Sequence, residues 1–233
     1  MTRRRWIADE VHHNRAALTG ENAAHLGRVL RAKLGQEFDI STGEKVRRGK
    51  IVAVSEQRVE FELGEEVAAA AELQVELLLA VFKFDRMEWA IEKATELGVA
   101  KILPVIAQRT EKHLTQTAAK RAERWRRLAH EAAQQSRRVS PPEIAEPLPL
   151  AEALAGGKGI VLAESEAGKS LKQALTTAPL PVRLAIGPEG GWTDAELVLF
   201  DEQGWQAASL GATILRAETA AIAALAITAA ELA

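Results

Sequence analysis

The chain has 233 residues, of which 47% are apolar and 27% charged, and a formal net charge of −2; this is ample for a buried core and marks a folded, soluble protein of one large or two small domains. It has no Cys, which excludes disulfides and thiolate metal sites, and its five His have no ligand-like spacing, so no metal is expected. The basic start at Met1–Glu10 lacks the apolar segment of a secretory signal, and the longest apolar run, Thr219 to Ala230, falls short of the ~20 residues a membrane span needs, so a cytoplasmic protein is expected.

In chain order, residues 1–72 read as a small, mostly β unit with one helix. Glu21 to Leu34 has Leu26, Val29, Leu30 and Leu34 on one helical face, basic residues on the other, and Gly35 just past the end as a C-cap. Glu37–Ser41, Gly49–Ser55 and Arg58–Leu63 have strand-like lengths, and small barrels of this kind often bind RNA. The acidic, Ala-rich stretch Gly64–Glu72 reads as a linker, with a domain boundary near residue 72.

From residue 73 to 233 strands and helices alternate. Strands are expected at Leu73–Val81, Lys101–Val105, Gly159–Ala163, Arg183–Ile186 and Gln206–Leu210. Helices are expected at Asp85–Leu97, Thr117–Arg137, Leu171–Thr176, Asp194–Gln203 and Glu218–Leu232. Such alternation gives an α/β fold, a parallel sheet with helices on both faces.

Charge is unevenly distributed. Residues 1–50 hold 11 Lys or Arg against 6 Asp or Glu, and Lys112–Arg138 holds 8 against 2, so two patches suit a locally contacted polyanion unless they are simply solvated helix faces.

Two glycine-centred loops stand out near the C-terminus. Gly187–Gly191, GPEGG, follows the apolar run VRLAI and precedes Thr193-Asp194-Ala195-Glu196, a capping box; Ser209–Ala220 reads SLGATILRAETA. Each is either a tight turn or a place where backbone amides approach a ligand at the carboxyl edge of a sheet. Neither has the spacing of a dinucleotide or P-loop motif, and Pro188 removes an amide that a phosphate would use, so nucleotides of that kind are disfavoured.

This pair of loops resembles that of the bacterial methyltransferases that modify the imide nitrogen, N3, of one uridine in 16S ribosomal RNA, within the SPOUT superfamily. Further motifs agree: His25-Leu26 with Arg28-Val29-Leu30-Arg31 and Gly35; Lys83, Arg86, Met87 and Trp89 ahead of Lys93–Gly98; Pro104 and Arg109; Arg124-Trp125; and Glu131–Ile144 with Gln135, Ser136, Arg138 and Pro142. Arg137, where the family usually has a small residue, and Phe84, where a Gly is common, depart from it.

The resemblance implies a SPOUT-type parallel sheet at 73–233 with a C-terminal trefoil knot, a PUA-like β-barrel RNA-binding domain at 1–72, a homodimer, S-adenosylmethionine as cofactor, and 16S rRNA in the small ribosomal subunit or its late precursor as partner. It places the cofactor among Leu162, Ala163 and Glu164; Ile186, Gly187, Pro188, Glu189, Gly190 and Gly191; and Ser209, Leu210, Gly211, Ile214, Leu215, Arg216 and Thr219. Main-chain groups at Leu162, Gly187, Gly191, Leu210, Ile214 and Leu215 would hold adenine and ribose.

Methylation of a uracil nitrogen requires loss of its proton. Glu189, the one carboxylate inside GPEGG, is the first candidate base, or else it bonds loop amides or cofactor ribose; Glu218 is the second, or else it favours a helix dipole. Arg216 is a candidate to stabilise charge on a uracil carbonyl or grip a phosphate, or else it pairs with Glu218 or Glu189. For RNA the candidates are Arg28, Arg31 and Lys33, together with Arg47, Arg48 and Lys50, and also Arg86 and a loop of Gln135, Ser136, Arg137 and Arg138 that would fold over the target nucleotide.

Overall fold

The computed structural model describes residues 5–69, 72–164 and 168–232, which fall into two compact units, Met1–Ala71 with Ala133–Pro141, and Glu72–Ala132 with Pro142–Ala233.

The first unit contains β1 (Arg5–Ile7), β2 (Glu10–His12), β3 (Arg15–Thr19), α1 (Gly20–Ala24), β4 (Glu37–Ser41), β5 (Val46–Val54) and β6 (Arg58–Val67). One six-stranded sheet runs β1-β4-β5-β6-β3-β2, antiparallel except for β1 with β4. Register shifts between β5 and β6 at Arg47/Gly49 and Ile51/Ala53 curl it into a half-barrel around Trp6, Leu18, Leu26, Ile40, Ile51 and Phe61. Gly49 sits where a Cβ would collide with Ile40 Cγ1, so the curl is closed by the absence of a side chain. The short strands β1 to β3 were not legible in the sequence.

The helix expected at Glu21–Leu34 is a correction. After α1 the chain enters one π-helical turn, His25–Val29, in which Leu30 N–H donates to His25 C=O at 3.1 Å, and Arg31 then takes φ +52°. The extra residue in that turn rotates the apolar stripe off the core. Leu26 stays fully buried, whereas Val29 and Leu34 are 66% and 69% exposed. Gly35, at φ +81°, caps no helix; its N–H donates to Ile51 C=O on β5 at 2.8 Å. The linker reading of Gly64–Glu72 is also corrected, because β6 continues through Val67. Its register sets Glu66 against Arg47, and Arg47 donates to Gly64 C=O at 2.9 Å while Lys45 pairs with Glu66 at 3.0 Å. Acidic residues there complement a basic strand. Ala70 and Ala71 of that stretch lie outside the described residues.

The second unit is the α/β domain. Its elements are β7 (Leu73–Ala80), α2 (Phe84–Glu96), β8 (Val99–Ile106), α3 (Lys112–Gln135), β9 (Glu143–Ile144), β10 (Leu148–Pro149), α4 (Leu150–Leu154), β11 (Ile160–Leu162), α5 (Leu171–Leu175), β12 (Val182–Ile186), α6 (Asp194–Glu202), β13 (Gln206–Ala208) and α7 (Ala217–Leu232). The sheet order is β10-β8-β7-β12-β11-β13, with β9 on β8, and every ladder is parallel. Alternate residues of β7 feed opposite faces. Val75, Leu77 and Leu79 pack under α2, α3, α5 and α7, whereas Leu78 and Ala80 pack under α4 and α6.

Arg183 on β12 is a buried charge, and it is fully engaged. It donates to Glu76 at 3.2 Å, to Ala153 C=O at 2.8 Å and to Gly157 C=O, and its guanidinium lies over Trp205. Among the described residues no helix is long and apolar enough to cross a membrane, and no cluster of three His, Asp or Glu is placed to hold a metal ion.

Candidate cofactor site

Three turns leave the carboxyl ends of β11, β12 and β13, which lie side by side in the sheet, and between them they enclose a cavity of about 320 Å³. Carboxyl ends of parallel strands are where open α/β sheets take ligands. The size is that of a small-molecule pocket.

Of the residues the sequence placed here, the first turn contributes Leu162, Ala163 and Glu164, and the second Ile186, Gly187, Pro188, Glu189, Gly190 and Gly191. The third contributes Ser209, Leu210, Gly211, Ile214 and Leu215. Arg216 and Thr219 do not line the cavity. Helix α7 starts at Ala217, and its rotation turns Ala217 and Ala220 to the cavity while Thr219 stays exposed.

The second turn is held from several sides. Gly191, at φ +69°, donates its N–H to Pro188 C=O at 2.8 Å, so that amide belongs to the turn and only the Gly191 carbonyl is left for a ligand. Thr193 and Glu196 form the capping box read from the sequence. Glu196, buried, also accepts from Gln108 N–H at 2.7 Å, and Arg109 Nη1 donates to Gly190 C=O at 2.6 Å and Trp192 C=O at 3.3 Å. Arg109, Trp192, Asp194, Leu197 and Ala208 line the cavity without having been assigned to it from the sequence, and Ala212 and Thr213 join them from within the third turn. Most are neighbours of the glycine loops. Arg109 lies just past β8, about 80 residues upstream; it belongs to the motifs that carry the resemblance, but nothing in the sequence marks it as a cavity residue.

The two candidate carboxylates share one cation. Arg86 Nη1 donates to Glu189 Oε1 at 2.6 Å, and its Nε lies 3.9 Å from Glu218 Oε1. Glu189 is therefore held by Arg86 rather than by loop amides, and the pairing considered for Arg216 is made by Arg86 instead. Glu218 is buried, and its Oε2 has no hydrogen-bond partner. Arg216 is exposed with no ion-pair partner among the described residues.

The basic patches are partly neutralised. On α3, Arg124 forks onto Glu88 at 2.7 and 2.8 Å, a hydrogen bond that raises its pKa, while Arg121 stands 3.5 Å from Glu88 and Arg126 pairs with Glu146 at 2.5 Å. In the first unit Arg48 pairs with Asp39 at 2.8 Å, and Arg28 with Glu56 at 3.0 Å in an exposed contact. Arg31 and Lys33 have no ion-pair partner among the described residues. The segment with Gln135, Ser136, Arg137 and Arg138 is fixed to the first unit: Gln134 Oε1 accepts from Ile7 N–H at 3.4 Å, Val139 C=O from Ser41, and Arg137 C=O from Arg5. Arg137 is exposed at φ +61°, a conformation that suits glycine, which gives a physical reason for a small residue at that position.

A parallel α/β sheet whose carboxyl edge carries a glycine-walled cavity, without a phosphate loop, defines an enzyme domain for a small organic cofactor. The chain belongs to the RNA methyltransferase domain family, which residues 69–229 match, and residues 18–64 match the RNA methyltransferase PUA domain. It is 34% identical over 230 residues to the ribosomal RNA small subunit methyltransferase E of Synechocystis, covering 94% of this chain and 74% of that one. Its fold superposes on a putative methyltransferase of Legionella pneumophila in complex with S-adenosylmethionine with a TM-score of 0.86 at 29% identity, over 99% of this chain and 98% of that one. The ribosomal RNA small subunit methyltransferase E of Neisseria gonorrhoeae, bound to S-adenosylmethionine, gives 0.83 at 29% identity, over 97% and 96%. The family inferred from the paired glycine loops is the one the chain belongs to, and the chain is an RNA methyltransferase.

Proposed function

We propose that this enzyme methylates N3 of one uridine of 16S rRNA, in the small ribosomal subunit or its late precursor, with S-adenosylmethionine as donor. The observation that carries this reading is the cavity. Its wall is built from Gly187, Gly190, Gly191 and Gly211 with Leu162, Ile186, Leu210 and Leu215, which suits an adenine and ribose held by main-chain groups, and it offers no cradle for phosphates. The names of the relatives and the cofactor held by the two structural neighbours support the same donor and the same RNA.

When bound, S-adenosylmethionine supplies a methyl group on a positively charged sulfur. The residues of the chain then have three tasks. The turns fix the donor so that the uracil nitrogen meets it in line. Glu189 receives the N3 proton, while Arg86 holds its Oε1 and so aims the carboxylate. Arg216, whose side chain has no ion-pair partner among the described residues, stabilises the charge that develops on a uracil carbonyl. Arg31, Lys33 and Arg137, all exposed, neutralise RNA phosphates without reading sequence.

The same reading includes a homodimer in the cytoplasm and a trefoil knot formed by the segment that carries the three turns. Incubation with labelled donor and small subunits from cells lacking the modification is expected to label one uridine at N3. Label on another RNA, another atom or nothing at all overturns the assignment, and a monomer by light scattering at micromolar concentration overturns the dimer.

A further inference from the structure

We propose that Arg109 is the subsite for the carboxylate of the donor's amino-acid tail, and that the same guanidinium holds the Gly187–Gly191 turn in place. This rests on the cofactor reading above and deepens it.

Among the described residues that line the cavity Arg109 is the only cation. Its stem crosses the turn at Gly190, where an added Cβ would stand 3.2 Å from Arg109 Cδ. Nη1 is spent on Gly190 C=O and Trp192 C=O. Nε and Nη2 have no partner among the described residues, so two donors of a planar, permanently charged group remain for an anion. The base of the side chain is fixed, because Thr110 Oγ1 accepts from Ala107 N–H at 3.2 Å and donates to Val81 C=O at 3.1 Å, while Gln108 N–H is held by Glu196 at 2.7 Å. An arginine positioned in this way presents its free edge without further ordering cost.

Charge agrees with geometry. The wall carries three carboxylates, Glu164, Glu189 and Asp194, and Glu189 is neutralised by Arg86. Glu164 and Asp194 have no ion-pair partner among the described residues. With Arg109 they leave the wall one negative charge in excess. S-adenosylmethionine has a sulfonium, an ammonium and a carboxylate, one positive charge in excess. Of these groups only the carboxylate matches a guanidinium, and a polyphosphate would face two unpaired carboxylates.

The test is calorimetric titration of the wild-type protein, Arg109→Gln and Arg109→Lys with S-adenosylhomocysteine and with its decarboxylated analogue, which lacks only the carboxylate. Wild type is expected to bind S-adenosylhomocysteine about tenfold more tightly than the analogue, the magnitude of a charge-assisted hydrogen bond. In Arg109→Gln that ratio should fall to about one, and Arg109→Lys should restore part of it. Loosening of the turn weakens both ligands together and leaves the ratio untouched, so an unchanged ratio in both variants overturns the proposal, as does a ratio near one in wild type. Should wild type bind neither compound, the cofactor reading itself fails. If Arg109→Gln does not fold, as judged by thermal unfolding, the Lys variant decides through the same ratio.

Discussion

The second and third turns of the cavity both follow strands of the parallel sheet, both contain glycine at positive φ, and both line the same cavity. They are held very differently. Between Gly187 and Glu196 the second has an internal Pro188–Gly191 hydrogen bond, a capping box, two bonds from Arg109, one from Gln108 and an ion pair to Arg86. From Gly211 to Ile214 the third is exposed, and residues Gly211 to Leu215 make no hydrogen bond to the described residues. One turn is therefore braced by the protein itself, while the other lacks such bracing and is expected to gain order with ligand. Ordering consumes part of the binding free energy, about 1–2 kcal/mol per residue fixed, so affinity is limited by the third turn and geometry is set by the second.

The largest test of this contrast removes the support of the second turn. Glu196→Ala deletes the acceptor of Thr193 N–H and Gln108 N–H at a buried position. A loss of about 2 kcal/mol in urea unfolding is expected, the cost of a lost cap and of two part-buried donors left unpaired, with weaker binding of S-adenosylhomocysteine. A change below about 0.5 kcal/mol in both would mean that the turn stands without its cap.

A second test compares the two glycines. Gly191 and Gly211 have φ +69° and +126°, so Ala is strained at either. At Gly191 the strain has no outlet, and Gly191→Ala is expected to destabilise the fold by about 1 kcal/mol as well as weaken the cofactor. At Gly211, where an added Cβ meets nothing within 4 Å, the loose chain relaxes, so Gly211→Ala should leave unfolding unchanged while lowering affinity. Equal losses of stability would erase the distinction.

The same contrast explains what was legible in the sequence. Strands such as VRLAI are buried on every residue, so composition alone reveals them, and the box Thr193 to Glu196 is a purely local device. The helix beginning at Glu21 failed because its apolar spacing is compatible with α geometry but the chain takes a π turn at His25–Val29, a choice made by packing against the curled sheet. Arg109 and Arg86 act on the glycine turn from 81 and 103 residues away, and a contact of that length leaves no periodicity to read. The glycines marked the turns that line the cavity. They could not tell which cations hold them there.

A change in stability as small as that of Gly211→Ala is expected at Ile214, which is 77% exposed yet borders the cavity. An apolar side chain so placed contributes almost nothing to the ligand-free fold, and its burial becomes available only when the third turn closes over a ligand. Ile214→Ala should leave the unfolding midpoint within about 0.5 kcal/mol of wild type. It should also weaken S-adenosylhomocysteine by several-fold, since about 1 kcal/mol accompanies burial of the lost methylenes. Hydrogen exchange supplies the second readout. In the free protein the Gly191 amide is expected to be protected and those of Gly211 to Leu215 to exchange fast, with ligand slowing the latter in wild type more than in the variant. Protection of the third turn in the absence of ligand would show it to be as preformed as the second, and would remove the reason for Ile214 to matter more to binding than to folding.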